Sequence, residues 1–299
     1  MLKDFRGKVV VARDKALRSS KGELIQTRVE DLFRRALEKL SGGSEKDFWK
    51  SLLSGNDTIG LKVNCLAGRR LSTTPHVARA IISSLERAGF DSRKIIVWDR
   101  SDKELLEAGF PLRYTGSQWR CYGTDRVGYE RRISISGEVG SCLSRILTRS
   151  CTVLISIGVL KDHDLAGVSA GMKNLFGVIH NPNKYHDNTC DPYVADLLRM
   201  PEIKRKLVLT VVDGTLAQCH NGPGYSPPYA WNYNGLLVGT DPVAVDRIAC
   251  EILEKKRRTL GLVSFAEAGR WPKYLKTAGS YGLGEADLKK IKVMEEGDV

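Results

Sequence analysis

No apolar run in this chain approaches the roughly 18 residues that a membrane-spanning helix needs. The charged start, Met1-Leu2-Lys3-Asp4-Phe5-Arg6, has no hydrophobic stretch behind it, so no signal peptide is expected. Cysteine pairs are missing as well. Cys65, Cys121, Cys142, Cys151, Cys190, Cys219 and Cys250 are scattered, with no C-x-x-C among them. An odd count at irregular spacing argues against a disulfide framework, and the close thiolates of a ferredoxin-type centre are absent, so no cysteine-ligated iron–sulfur cluster is expected. These absences point to a protein that works in a reducing, cytoplasmic setting without membrane contact, its thiols serving as small buried apolar groups. No internal repeat, low-complexity tract or linker is found either.

Charge is the first positive signal. Against 35 acidic residues stand 47 lysines and arginines, a net +12. The basic residues are dispersed, however. Arg34-Arg35, Arg69-Arg70, Arg131-Arg132 and Lys255-Lys256-Arg257-Arg258 lie far apart, and no aromatic-interleaved basic motif joins them. That argues against nucleic acid and for a small anionic partner. A homo-oligomer is compatible with everything in the sequence.

With 299 residues and 42% hydrophobic content, the chain can bury a large core. Short β-rich runs alternate with helical patterns, which predicts an α/β fold: a largely parallel twisted sheet, or sheets, flanked by helices in Rossmann-like halves. Thr27-x-x-Glu30 reads as a capping box before a helix that buries Leu32, Phe33, Ala36, Leu37 and Leu40. A buried strand is expected over 58–64, a helix capped by Thr74 with Pro75 at its first position and stopped by Gly89, and a strand over 95–98. The second half begins with the apolar run 153–159, followed by strands over 207–212 and 236–238. Asp241 is the expected N-cap of the next helix. Asp246, one turn inside it, is expected to be solvated or ion-paired. The organisation expected is an N-terminal α/β half over 1–150 and a C-terminal half over 151–299, with a single intertwined domain as the alternative.

Ligands in open α/β sheets gather at the carboxyl ends of strands, where loops converge and helix N-termini point inward. Lys62, Asn64, Asp99, the run Lys161 to Asp164, and Asp213 all fall at such ends. The densest constellation is Lys161-Asp162-His163-Asp164, then Gly167 to Asn174, His180, His186 and Cys190-Asp191. Four of the five histidines lie between 163 and 220. His163, Lys173 and Lys161 are the candidate catalytic residues. A histidine can shuttle a proton near neutral pH, and a desolvated lysine can serve as base or nucleophile. Lys62, Asn64, Arg69, Gly167, Ser169, Asn174 and Asp213 are the candidate anion-binding set, in which small residues allow close backbone approach. His186, His180, Cys190 and Asp191 are candidate ligands for a transition metal such as Fe, Ni, Zn or Mn.

These residues resemble the domain-of-unknown-function family 362, from Lys62-Val63-Asn64 and Thr74-Pro75 through Asp213-Gly214 to Asp241-Pro242-Val243-Ala244-Val245-Asp246. The most specific stretches are Leu160-Lys161-Asp162-His163 and Ala166-Gly167-Val168-Ser169-Ala170-Gly171-Met172-Lys173-Asn174. Some family members carry a fused ferredoxin-like module, whose cysteines this chain lacks. A weaker similarity is to the nickel-pincer lactate racemase family, in which a Thr-Pro loop, a His, an Ala-Gly-x-Ser-Gly-Gly-x-Lys stretch and a later His follow in that order. That likeness implies an acid/base role for His163, a cofactor anchor at Lys173 and a metal ligand at His186. Ser72 stands where that family has a substrate-carboxylate arginine, and Asp99-Arg100-Ser101 where it has a second catalytic histidine.

The reading that follows is a metal-assisted enzyme acting on a small, carboxylate-bearing anion by proton transfer, isomerase, lyase or redox chemistry. Two rivals stand beside it. One is an electron-handling protein akin to the iron–sulfur-bearing relatives, and the other is a non-catalytic module that binds an anionic ligand.

Overall fold

The computed structural model describes residues 5–298; residues 1–4, part of the charged start read above, lie outside it. Its principal strands are β1 (Lys8–Arg13), β2 (Ile59–Lys62), β3 (Ile95–Trp98), β4 (Arg120–Cys121), β5 (Val153–His163), β6 (Gly167–Ser169), β7 (Leu207–Gln218), β8 (Gly235–Gly239) and β9 (Lys292–Gly297). Three helices matter most: α1 (Gln26–Ser41), α2 (Pro75–Arg87) and α3 (Pro242–Thr259). The main sheet runs β9-β1-β8-β7-β5-β2-β3-β4, and β6 folds back on β5.

From β7 through β5, β2 and β3 to β4 every pairing is parallel; β8 is antiparallel to both of its neighbours. The sheet is therefore mostly parallel, and it passes without a break from the first half of the chain into the second. The unit β2-α2-β3 is a crossover between adjacent parallel strands. Within it Thr74 caps α2 through Val77 N–H, and Pro75 occupies the first turn, as expected.

Residues alternate between two apolar layers, as the two-residue period of a strand requires. Val10, Leu61, Val97 and Ile155 pack with α1 and α2 on one face. Val9, Trp98, Leu154 and Val212 pack with α3 and the 170–203 segment on the other. Strands buried on both faces read as continuous apolar runs, which is why 153–159 was legible from sequence.

Two expectations fail in detail. Thr27 and Glu30 form no capping box: α1 begins at Gln26 after Ile25, with no side-chain cap, and Glu30 instead accepts from Gln26 Nε2 at 2.9 Å. Asp246 is neither solvated nor ion-paired. It is fully buried, and its two oxygens accept the backbone N–H groups of Gly171 (2.8 Å) and Met172 (3.0 Å). Asp241 does cap α3, accepting from Val243 and Ala244 with one oxygen and from Gly7 and Glu285 with the other.

Candidate functional site

Parallel strands bring their carboxyl ends to one edge of the sheet, and there β2, β3 and β5 deliver Lys62, Asp99 and Lys161 to a common cleft. The hairpin of β5 with β6 sets Lys161 opposite Ser169 and His163 opposite Gly167. A 3-10 turn, Lys173–Val178, then carries Lys173, Asn174, Phe176 and Gly177 along one wall. His186 meets that wall, following a second 3-10 turn over Pro182–Tyr185. The cleft holds ≈ 110 Å³.

Its floor is a satisfied ion pair. Lys62 Nζ lies 2.6 Å from Asp99 Oδ1 and donates also to Val63 O (2.6 Å) and Asn174 Oδ1 (3.1 Å), so all three of its protons are committed. The second oxygen of Asp99 accepts Cys65 N–H at 2.7 Å. Asn174 returns its amide protons to Lys62 O (2.9 Å) and Ser156 Oγ (3.0 Å). Lys62 and Asn174 thus tie β2, β5 and the residue after β3 together, with none of their donor protons left for an anion.

Above the floor sit two lysines of a different kind. Lys161 is 1% exposed and its Nζ has one hydrogen bond, to Leu71 O at 3.0 Å. Lys173 is 7% exposed; its Nζ meets His186 Nε2 at 3.0 Å and lies 3.8 Å from the Phe176 ring centroid. Among the described residues neither has a carboxylate in ion-pair contact. Burial makes each ammonium costly, and both amines are brought down to about 8.

The two cleft histidines, His163 and His186, are held toward the neutral form. His186 Nδ1 lies 3.0 Å from Pro182 O, a group that only accepts, so the proton resides on Nδ1 and Nε2 is free to accept from Lys173. Burial, then the nearby Lys173, lowers His186 further. The His163 ring stacks on His186 at 5.4 Å between centroids. Burial first, then Lys173, His186 and Lys161, push His163 down to about 2. Its Nδ1 faces Leu165 N–H (3.2 Å) and the exposed Asp164 carboxylate (3.0 Å), but with the ring neutral that contact is not an ion pair.

Lys161, Lys173, His163, His186, Ser169 and Asn64 share one cleft; of these, Asn64, Lys161 and His163 are the ones the strand-end argument grouped. Other candidates lie elsewhere. Arg69 is exposed on the 3-10 turn Gly68–Arg70 and does not line the cleft. Asp213 is saturated by the N–H and hydroxyl of Thr74 and of Thr215, at 2.7–2.9 Å; it pins the start of α2 to β7. Gly167, at φ 76°, packs against the Arg270 carbonyl, where a Cβ would collide. Its role is to turn the hairpin.

The proposed metal set does not converge. His180 is exposed and edge-on to Tyr129, Cys190 is buried with its Sγ toward His186 O, and Asp191 stands outside the cleft. Burial also raises the Cys190 thiol to about 11, away from the thiolate a metal needs. Among the described residues no three His, Cys, Asp or Glu side chains gather as a metal site. His163 and His186 are the two metal-competent side chains from the expected set and its catalytic neighbours that reach the cleft, and His186 has both nitrogens engaged. The residues do not fit a protein-held metal centre.

Sequence reasoning named Gly177 in the same constellation but missed Arg100, Glu104, Phe176, Pro182 and Asn183 as cleft residues. Phe176 could have been found, since it lies between Lys173 and Gly177 on one turn. Asp246 was seen but misassigned: it positions the Gly171–Met172 amides immediately before Lys173, a contact across 75 residues.

No curated protein matches this chain. A crystal structure of a Thermotoga maritima protein is similar over 78% of this chain and 59% of that one, at 11% identity and a TM-score of 0.48, so the chain spans less than two thirds of that protein's length. Residues 59–251 match the family described as Domain of unknown function (DUF362), a span that includes every lysine and histidine of the cleft. That match covers well over half of the sequence, and the chain belongs to the DUF362 family.

Proposed function

We propose that this protein is an enzyme that binds a small, carboxylate-bearing anion at the cleft and moves protons with Lys173 and His186. The observation that carries this reading is the pair Lys161 and Lys173: two buried amines in one cleft, neither of which has a carboxylate in ion-pair contact among the described residues. Buried charge without a partner is strongly disfavoured, so an anion that enters supplies the missing countercharge. The cleft volume sets its size. A cavity of about 150 Å³ admits benzene, so ≈ 110 Å³ suits a molecule of a handful of heavy atoms.

The Lys173–His186 contact of 3.0 Å favours catalysis over simple binding. A module that only held charge would gain nothing from a neutral imidazole accepting from its lysine. In a proton-transfer reaction that pairing lets Lys173 switch between ammonium and amine as a proton arrives or leaves. No step in this reading passes through a metal.

The test is solvent-deuterium exchange into small carboxylates, followed by NMR, alongside calorimetric binding of the same molecules. Lys161→Met should weaken binding, and His186→Gln should keep binding while slowing exchange by about 10²-fold or more. Unchanged exchange in a folded His186→Gln variant would sink the catalytic role. Unchanged anion affinity in Lys161→Met would sink the site itself.

A further inference from the structure

The same cleft suggests more than proton transfer. We infer that Lys173 forms an imine with a 2-oxo carboxylate, its amine attacking the carbonyl while Lys161 holds the carboxylate; this rests on the anion-binding reading above. The geometry has the parts such a step needs. Lys173 Nζ is 3.8 Å from the Phe176 centroid and 3.0 Å from the acceptor nitrogen of His186, so one side of the amine is apolar and the other has a base. Desolvation beside another cationic group is the arrangement that makes a lysine nucleophilic. Lys161, with one hydrogen bond among the described residues, to Leu71 O, keeps two protons for a carboxylate.

The chemistry balances without an oxidant or reductant. The nitrogen lone pair bonds to the carbonyl carbon while the C=O π pair moves to oxygen, giving a carbinolamine. His186 relays the two protons that leave nitrogen, and the oxygen departs with them as water, leaving C=N. Protonation of that nitrogen gives an iminium that draws electrons from the adjoining carbon. Proton removal or loss of carbon dioxide at that carbon is then the class of reaction it would promote. Small size is again required, and a 2-oxo acid of three or four carbons is within the cleft's capacity.

The probe is pyruvate with sodium cyanoborohydride, which reduces an imine to a stable secondary amine. Intact mass and peptide mapping of the wild-type protein then locate the adduct. The expected result is one adduct per chain, with the mass of pyruvate less water plus two hydrogens, on the peptide that contains Lys173. Lys161→Met should reduce labelling by about tenfold or more at equal pyruvate, and acetone, which lacks the carboxylate, should not label the site preferentially. Labelling spread over surface lysines overturns the imine. Absence of an adduct at Lys173 while pyruvate still binds overturns the imine alone and leaves the anion-binding reading standing. Absence of both adduct and binding brings down the two together. Because the mapping uses the wild-type chain, a Lys173→Arg variant that fails to fold does not blunt the test.

Discussion

The carboxylate of Asp246 accepts the backbone N–H of Gly171 at 2.8 Å, tying helix α3 to the turn that carries Lys173. With Met172 N–H on its other oxygen, this residue sets the position of a cleft lysine from beneath without touching the cleft. Burial raises its carboxyl to about 7 even though the two N–H donors favour the charged form.

Replacing Asp246 with Asn keeps the shape but gives up one of the two acceptors and sets an N–H₂ against a backbone N–H. The expected outcome is a loss of about 1–3 kcal/mol in stability, measured by urea unfolding, with a weakened response of the cleft to anions. The wild-type protein carries a matching pH signature. The folded carboxyl titrates above the unfolded one, so the folded state holds more protons between the ordinary value near 4 and about 7. This residue's contribution is therefore greatest in acid and declines as pH rises through about 7. Asp246→Asn should flatten that part of the stability curve.

Lys161 and Lys173 predict a pH dependence for binding. Both are brought down to about 8 by burial, so both are largely charged below that value and neutral above it. Affinity for a small carboxylate should therefore fall as pH rises through about 8, with a limiting slope approaching about two protons per anion. Calorimetry in buffers of differing ionisation heat checks this directly. Proton uptake on binding is expected near pH 8, because the anion favours the ammonium forms. A pH-independent affinity from 6 to 10 would contradict the assignment of these lysines.

The Lys62–Asp99 pair should behave as structure, not as chemistry. Asp99→Ala leaves Lys62 charged and buried, and is expected to cost about 3–5 kcal/mol. Lys62→Met in the Asp99→Ala background should recover much of that loss, since the double variant buries no unpaired charge. Unfolding of the two single variants and the double gives the coupling. Additive losses would show that the 2.6 Å contact contributes nothing on its own.

Much of the sheet was legible in the sequence. The runs over 95–98 and 153–159 are apolar and β-branched, and Thr74-Pro75 and Asp241-Pro242 are local helix-start signals whose physics lies within a few residues. β1, equally apolar at Val9-Val10-Val11, went unread, and so did the true length of β5 and β7, because a strand that continues into a site changes from apolar to polar composition.

The site was legible as a segment but not as an arrangement. Sequence placed Lys161 and His163 at a strand end and grouped Lys173 and His186 with them only as members of one dense segment. It could not separate Lys62 from Lys161, two lysines that follow apolar runs in the same way. Only the tertiary structure gave Lys62 the carboxylate that follows β3 and left Lys161 with no ion-pair contact among the described residues. Nor could it show that Asn188, Thr189 and Cys190 take successive left-handed conformations, with φ from 45° to 61°, on a path that leaves Cys190 and Asp191 outside the cleft. The reason is physical. Helix caps and strand periodicity are set by neighbours along the chain, whereas the charge state and partners of a buried side chain are set by groups that the fold brings from more than a hundred residues away.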